Sequence, residues 1–412
     1  MLKKKKHRAR NADQKETASK DPDGAYMSAK DAARALGVSV QTLYVYVSRK
    51  GIRSQPIPNS RRRRYWKADV ERIARGEEAA PAEIGQFRQD SKITLITDGG
   101  VFYRAQNAAH LAEHATLEAV AALLWGCPEA QAFTASPPEM PASFSKLQKV
   151  LAEQSDIDRA MSMLPLCEES NPKSYDLSPL GMARTGADVL RTMAAVAVGM
   201  ERPATTPIHE FIALKIGANA LQGELIRRQL VLAADHGFEP ATVAVRVVAG
   251  SGVTPWRAVC AGLAVTLGSR TRLSGWGAVS RLLAEIMTSP HPARSIVQRI
   301  RAGEPVPGFE SALHAHGDPR ARALLAFCAS AMPADAAYQR LAEALAAAKS
   351  IQGLEPNFSL AFLFVDAITG VGPRRSLFHV GRCAGWIAHA IEQYQSGAPK
   401  RILGVYKGAL PA

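Results

Sequence analysis

No run in this sequence approaches the ~18 uncharged apolar residues that a membrane-spanning helix needs. The N-terminus, MLKKKKHRARNADQK, has a basic run with no apolar region behind it, so it lacks the pattern of a secretory leader. A protein kept in solution, off the membrane and in the cytoplasm, is expected. Cysteine is scarce: the five residues Cys127, Cys167, Cys260, Cys328 and Cys383 are scattered, odd in number and without a CxxC pair, which excludes a disulfide framework and a zinc ribbon. They read as buried thiols in a reducing compartment. Gly-rich nucleotide loops between a strand and a helix are missing as well, and so is any metal-ligand spacing, so neither a bound metal nor a resident cofactor is expected.

What is present is unevenly placed. Residues 1–75 hold 20 Lys/Arg against 7 Asp/Glu, whereas the other 337 residues hold 31 against 30, so nearly all of the +14 net charge belongs to one end. Such asymmetry points to a nucleic-acid-binding or membrane-surface module joined to a neutral globular chain. A solvated basic tail would explain the lysines at 3–6, but not a second basic cluster inside a patterned segment.

That segment is residues 25–75. In MSAKDAARALGVSVQTLYVYVSRK, Ser28 with Asp31 makes a capping-box-like start, Ala32, Ala33 and Leu36 form an apolar face, and Gly37 stops the helix. Ser39 opens a second helix with Leu43 and Val47 inward, which leaves Gln41, Thr42, Tyr44, Ser48 and Arg49 to reach base edges or phosphates. IRSQPIPNSRRRRYW then reads as a hairpin whose tip carries Arg61, Arg62, Arg63 and Arg64, suited to a phosphate backbone or minor groove. Residues 26–73 resemble the winged helix-turn-helix of MerR and excisionase proteins. DNA is the expected partner, with docking onto an acidic protein as the alternative. Residues 1–24 form a basic tail, and residues 76–91, without apolar periodicity, read as a linker.

From Lys92 onward the pattern is mainly α. ITLITDGGVFYRA reads as one small hairpin turning at Asp98-Gly99-Gly100. HLAEHATLEAVAALLWG then places Leu117, Val120, Leu123 and Leu124 on a helix face. DVLRTMAAVAVG, ELIRRQLVLAADHG, DPRARALLAFCAS, AAYQRLAEALAAA and VGRCAGWIAHAIEQYQ all have helical period. In LSGWGA the glycines Gly275 and Gly277 let other groups approach the turn closely, and the side chain presented there is the hydroxyl of Ser274.

Several of these segments, in this order, resemble the citrate synthase family over nearly all of residues 92–410. The resemblance implies a two-domain helical fold, the large domain from residues 92–273 and 369–412 and the small one from residues 274–368. It implies condensation of an acyl-CoA with oxaloacetate, in which a carboxylate and two histidines act on the reacting atoms. LSGWGA falls where the family has Leu-His-Gly-Gly-Ala, VPGFESALHAHGDPRA where it has a Gly-Phe-Gly-His run ending in Asp-Pro-Arg, and PNFSLAF where it has Pro-Asn-Val-Asp-Phe. The catalytic positions therefore fall on Ser274, Ser311 and Ser359, and a hydroxyl cannot take a proton from a weak carbon acid near neutral pH without a base beside it.

The positions that hold the dicarboxylate are kept as His236, Arg320 and Arg382, with guanidinium forks suited to carboxylates. The same residues also have plain structural readings, Arg320 in a Asp-Pro-Arg helix start and His236 at a helix end. Val306, Pro307, Gly308 and Phe309 keep the shape of the loop that cradles the CoA adenine, so an acyl-CoA is the implied substrate or ligand. Against ordinary activity stand Thr185-Gly186-Ala187 in place of His-Pro-Met, Ala312 after the second histidine position, and a short KRILGVYKG tail.

The leading expectation is a catalytically degenerate member acting as a DNA-binding regulator, a homodimer that senses a dicarboxylate or acyl-CoA. One alternative is an active citrate or 2-methylcitrate synthase, in which His314 or His316 is brought to the site by a shifted loop. The other is a non-catalytic subunit paired with an intact relative.

Overall fold

The computed structural model describes residues 26–49, 52, 54–57, 60, 62–75, 90–268, 275–309, 313–314, 316–371 and 377–396. The chain divides into two compact units, residues 1–84 and 85–412. The basic tail, Arg61, most of the expected linker, Ser274, Ser311, Ala312 and the KRILGVYKG tail lie outside the described residues.

In the first unit a strand, Tyr26–Ser28, runs into the helix Ala29–Ala35, and a turn leads to the helix Val40–Arg49. Ser28 caps the first helix, its Oγ accepting from the Asp31 amide at 3.2 Å and donating to the Asp31 carboxylate at 2.7 Å. Gly37 turns the chain at φ 64°, a left-handed conformation open to glycine, and Ser39 Oγ accepts from the Thr42 amide at 3.1 Å. Strands Ser54–Pro56 and Arg63–Trp66 pair antiparallel, and Tyr26–Ser28 adds to the other edge of Arg63–Trp66. Ala32, Ala33, Leu43, Ile52, Tyr65 and Val70 form the core beneath.

One expectation is corrected here. Arg63 and Arg64 do not sit at the hairpin tip; they begin the central strand, and the turn lies before them, where the Ile57 amide donates to the Arg62 carbonyl at 3.0 Å. The β-propensity of the following Tyr65 and Trp66, both buried, draws the two arginines into the ladder.

The second unit opens with strands Thr94–Thr97 and Gly100–Tyr103, joined at Asp98-Gly99, and a third strand, Gln106–Asn107, makes the expected hairpin a three-stranded sheet. The expected single helix over residues 110–126 is two, Ala108–His114 and Leu117–Trp125, because Thr116 takes extended backbone and caps the second through its hydroxyl. The five segments with helical period form the helices Pro179–Val198, Ala220–Ala233, Pro319–Ala331, Ala336–Gln352 and Leu377–Gln395.

Leu377–Gln395 is the axis of this unit, buried along almost its whole length. Gly381 and Gly385 let it approach the end of Ala220–Ala233 closely: a Cβ on Gly381 would lie 2.8 Å from the Leu230 carbonyl oxygen, and one on Gly385 would lie 2.4 Å from that of Ala234. The same helix end is held from the sheet side by the buried Tyr103, whose hydroxyl reaches the carbonyls of Val231, Leu232 and Asp235 at 3.1–3.3 Å. These contacts fix the turn at Asp235 and His236.

Candidate active site

A cavity of about 470 Å³ opens beside that turn. His236, Arg320 and Arg382, spread over 146 residues of sequence, all line it, as do Val306, Pro307, Gly308 and Ser359. Gly275, next to Ser274, is on the wall too. Phe309 is buried behind the loop rather than on the cavity wall.

Ser359 stands near the start of the helix Phe358–Thr369. The helix is capped by Asn357, whose Oδ1 accepts from the Leu360 amide at 3.2 Å and from the Ser359 hydroxyl at 2.6 Å. The hydroxyl is thus spent on organising a helix start. The Asn357 amide in turn donates to the Gly308 carbonyl at 2.8 Å, tying the 306–309 loop to the same wall. Gly308 has φ 88° and lies so close to Leu360 that a Cβ would fall 3.0 Å from its Cβ, so only glycine fits.

Arg320 opens the helix Pro319–Ala331, and Asp318 is the cap: its Oδ1 accepts from the Arg320 amide at 2.9 Å. The same carboxylate holds the guanidinium by a fork, Nε to Oδ1 at 3.1 Å and Nη2 to Oδ2 at 2.7 Å, while the guanidinium carbon sits 4.2 Å over the Phe358 ring. Burial on its own would raise the Asp318 carboxyl and lower the guanidinium; the pairing outweighs it and moves both the other way. Arg382, only 1% exposed, donates through Nη1 to Glu239 at 3.0 Å and lies 4.8 Å from the Phe378 ring centre. Glu239 is the residue before Pro240 at the start of Pro240–Ala249, a position where a carboxylate also meets the positive end of the helix dipole.

Sequence reasoning found the two arginines but not their carboxylates. In the sequence Asp318 reads only as part of a helix start, and Glu239 carries no motif of its own.

His236 and His314 lie with rings nearly parallel, 8° apart in plane and 6.1 Å between centres. Burial lowers the His314 pKa against the opposing pull of Asp318, 3.9 Å from its Nε2. His316 is exposed. Of the two histidines that could have replaced a lost one, His314 stands beside the cleft residues His236 and Asp318. His236, His314 and Asp318 each offer a ligand atom within 4.8 Å of the others. A divalent cation fits this trio poorly, because both Asp318 oxygens already serve Arg320 and a buried guanidinium borders the position.

Behind His236, Asp235 is fully buried and lies 3.4 Å from His389 Nε2, while Nδ1 of that ring meets Arg246 at 3.1 Å and Arg246 meets Glu392 at 2.7 Å. Burial would raise Asp235, but His389 and then Arg382 outweigh it and hold the carboxyl at about 2. The network fixes the turn that carries His236.

In the first unit, Gln41 and Tyr44 are exposed on the second helix, while the Thr42 hydroxyl is engaged with Ser39 at 2.8 Å. Arg62 and Arg63 are exposed; Arg63 bonds Ser54 through Nε and Nη2, and Arg64 stacks 4.3 Å over Tyr26. The side chains of Ser48 and Arg49 lie outside the described residues.

Comparison with known proteins agrees with both units. The family model described as citrate synthase, C-terminal domain, matches residues 85–403, and the model described as helix-turn-helix domain matches residues 26–77. Citrate synthase of Mycolicibacterium smegmatis is 27% identical over 363 residues, covering 77% of this chain and 91% of that protein. Citrate synthase of Haloferax volcanii is 29% identical over 200 residues, 46% of this chain and 52% of that protein. The chain thus spans about half the length of most of the curated relatives it matches. Among solved structures, citrate synthase from Pyrobaculum aerophilum superposes with a TM-score of 0.67 at 19% identity, covering 87% of this chain and 96% of that one. Thermoplasma acidophilum citrate synthase, in complex with carboxymethyl coenzyme A and oxaloacetate, gives 0.63 at 19% identity, covering 80% and 97%.

Proposed function

The chain belongs to the citrate synthase family through residues 85–403, and from that premise we propose that it is a catalytically degenerate member acting as a DNA-binding regulator in the cytoplasm. Its helix-turn-helix unit contacts DNA, and its family domain senses a small organic acid, an acyl-CoA, or both. One observation carries the loss of catalysis: no carboxylate lining the cleft, among the described residues, is free to act as a base. Asp318 and Glu239 are each paired with an arginine, and the position that the family resemblance gives to an aspartate holds Ser359, whose proton is directed to Asn357. Proton abstraction next to a thioester needs a base in reach, and one acid-base group is worth roughly 10²–10⁴ in rate.

Sensing follows from what remains, a pocket lined by buried arginines and by the 306–308 loop. Closure of residues 274–368 over the rest of the domain would give the head a two-state input. A homodimer would set two heads on a palindromic site, whereas pairing with an intact relative would set one degenerate cleft beside a competent one.

A second reading, an active condensing enzyme, is favoured by His314 alone, a buried imidazole 3.9 Å from Asp318. Release of CoA thiol from acetyl-CoA or propionyl-CoA with oxaloacetate separates the two. The regulator reading expects no release above the uncatalysed background together with retarded migration of duplex DNA; turnover on the order of 1–10³ per second would overturn it.

A further inference from the structure

The family resemblance implies a dicarboxylate ligand, yet the cleft has already neutralised the groups that would hold one. Arg320 is gripped through two nitrogens by Asp318, and Arg382 through Nη1 by Glu239, all four side chains on the wall of the same cavity. Two guanidiniums and two carboxylates leave these four groups with no net charge. Two donors are left buried without a hydrogen-bond partner, Arg320 Nη1 and Arg382 Nε. Buried donors of this kind call for an acceptor, and two N–H groups match one carboxylate. Apart from His236, Asn357 and Ser359, the last two bonded to each other, the rest of the wall is apolar and aromatic, including Trp276, Val279, Phe358 and Phe378.

We infer that the cleft takes a ligand with a single carboxylate and a short apolar substituent, carrying at most one net negative charge, and that Glu239 is the residue that rejects dicarboxylates. This rests on the sensing role proposed above. A small turn of the two guanidiniums toward the cavity would let a single carboxylate engage their unpartnered nitrogens, with its apolar end against Trp276 and Phe358. A second carboxylate would enter a buried pocket whose cations are already paired, and would face the Glu239 and Asp318 oxygens at the cost of like-charge repulsion and desolvation. The ligand can be a 2-oxo monoacid or the corresponding amino-acid zwitterion, since both present the same carboxylate; the zwitterion adds an ammonium that Glu239 can accept.

Calorimetric titration of the full chain tests this with 2-oxobutyrate, 2-aminobutyrate, oxaloacetate and malate. One of the two single-carboxylate ligands is expected to bind about tenfold tighter or more than either dicarboxylate. Glu239→Gln removes the charge and loosens the hold on Arg382 Nη1, so it should narrow or invert that ratio; the Glu239 side chain is 22% exposed and makes no capping bond, so the variant should fold. A wild-type preference for oxaloacetate or malate, or an unchanged ratio in Glu239→Gln, overturns this inference and leaves the sensing role standing. Binding of none of the four overturns both the inference and acid sensing. If Glu239→Gln does not fold, the wild-type ratio alone decides.

Discussion

At the scale of single residues the cleft is a set of pairs, and its chemistry follows from which pair is broken. Asp318→Asn keeps a helix-capping side chain but leaves Arg320, 4% exposed, with no counter-charge. Breaking a buried pair from one side typically costs about 3–5 kcal/mol, far above the roughly 1 kcal/mol of a lost cap, so chemical denaturation of Asp318→Asn should show the larger figure. His379 gives a second residue-scale outcome. Burial first, and then the charge of Arg382, push its pKa from the ordinary 6.5 to about 3. The folded ring is therefore neutral where the unfolded one binds a proton, so stability is full above pH ~6.5 and falls as the pH drops toward ~3, by up to about 1.4 kcal/mol per pH unit. His379→Leu, measured by denaturation between pH 7 and 4.5, should flatten that slope. Much of the donor set was legible in the sequence, because Arg320, Arg382 and His236 stand in short motifs. The partner of Arg382 was not, because Glu239 meets it across 143 residues and no local pattern encodes that meeting.

At the scale of elements, the helices were read well and the breaks between them poorly. Period survives in a single sequence, as it does in Leu377–Gln395, but Thr116 looks like any polar residue within a periodic run until its extended backbone and hydroxyl cap divide the run in two. The third strand, Gln106–Asn107, is too short to show alternation. It is reached through a turn in which two residues other than glycine, Arg104 at φ 43° and Ala105 at φ 72°, take left-handed backbone. Such a conformation costs an L-residue roughly 1–2 kcal/mol. Ala105→Gly should therefore raise stability by about 1 kcal/mol after the entropy of the more flexible unfolded chain is set against it, read as a higher midpoint in urea. An unchanged or lower midpoint would mean that the Ala105 side chain contributes more than its backbone strain costs.

At the scale of the whole molecule, the sequence's uneven charge anticipated the division into a unit of residues 1–84 and one of residues 85–412, each with its own buried cluster. No described helix is long and apolar enough to cross a membrane. The basic excess of the first unit is divided between binding and folding. Arg62 is exposed beside the turn, whereas Arg64 lies 4.3 Å over the Tyr26 ring within the sheet. If the head binds duplex DNA through phosphates, each contact should contribute about −0.9 to the slope of log affinity against log salt. Arg62→Ala should then make the slope shallower by about that amount and leave the melting of the head unchanged. Arg64→Ala removes a cation–π contact of roughly 0.5–1 kcal/mol and should lower the melting of the head first, weakening DNA binding through the folded fraction. Fluorescence anisotropy over a salt series, beside thermal melts of both variants, separates the two roles. Equal slopes in Arg62→Ala and the wild type would remove Arg62 from the DNA-contacting surface.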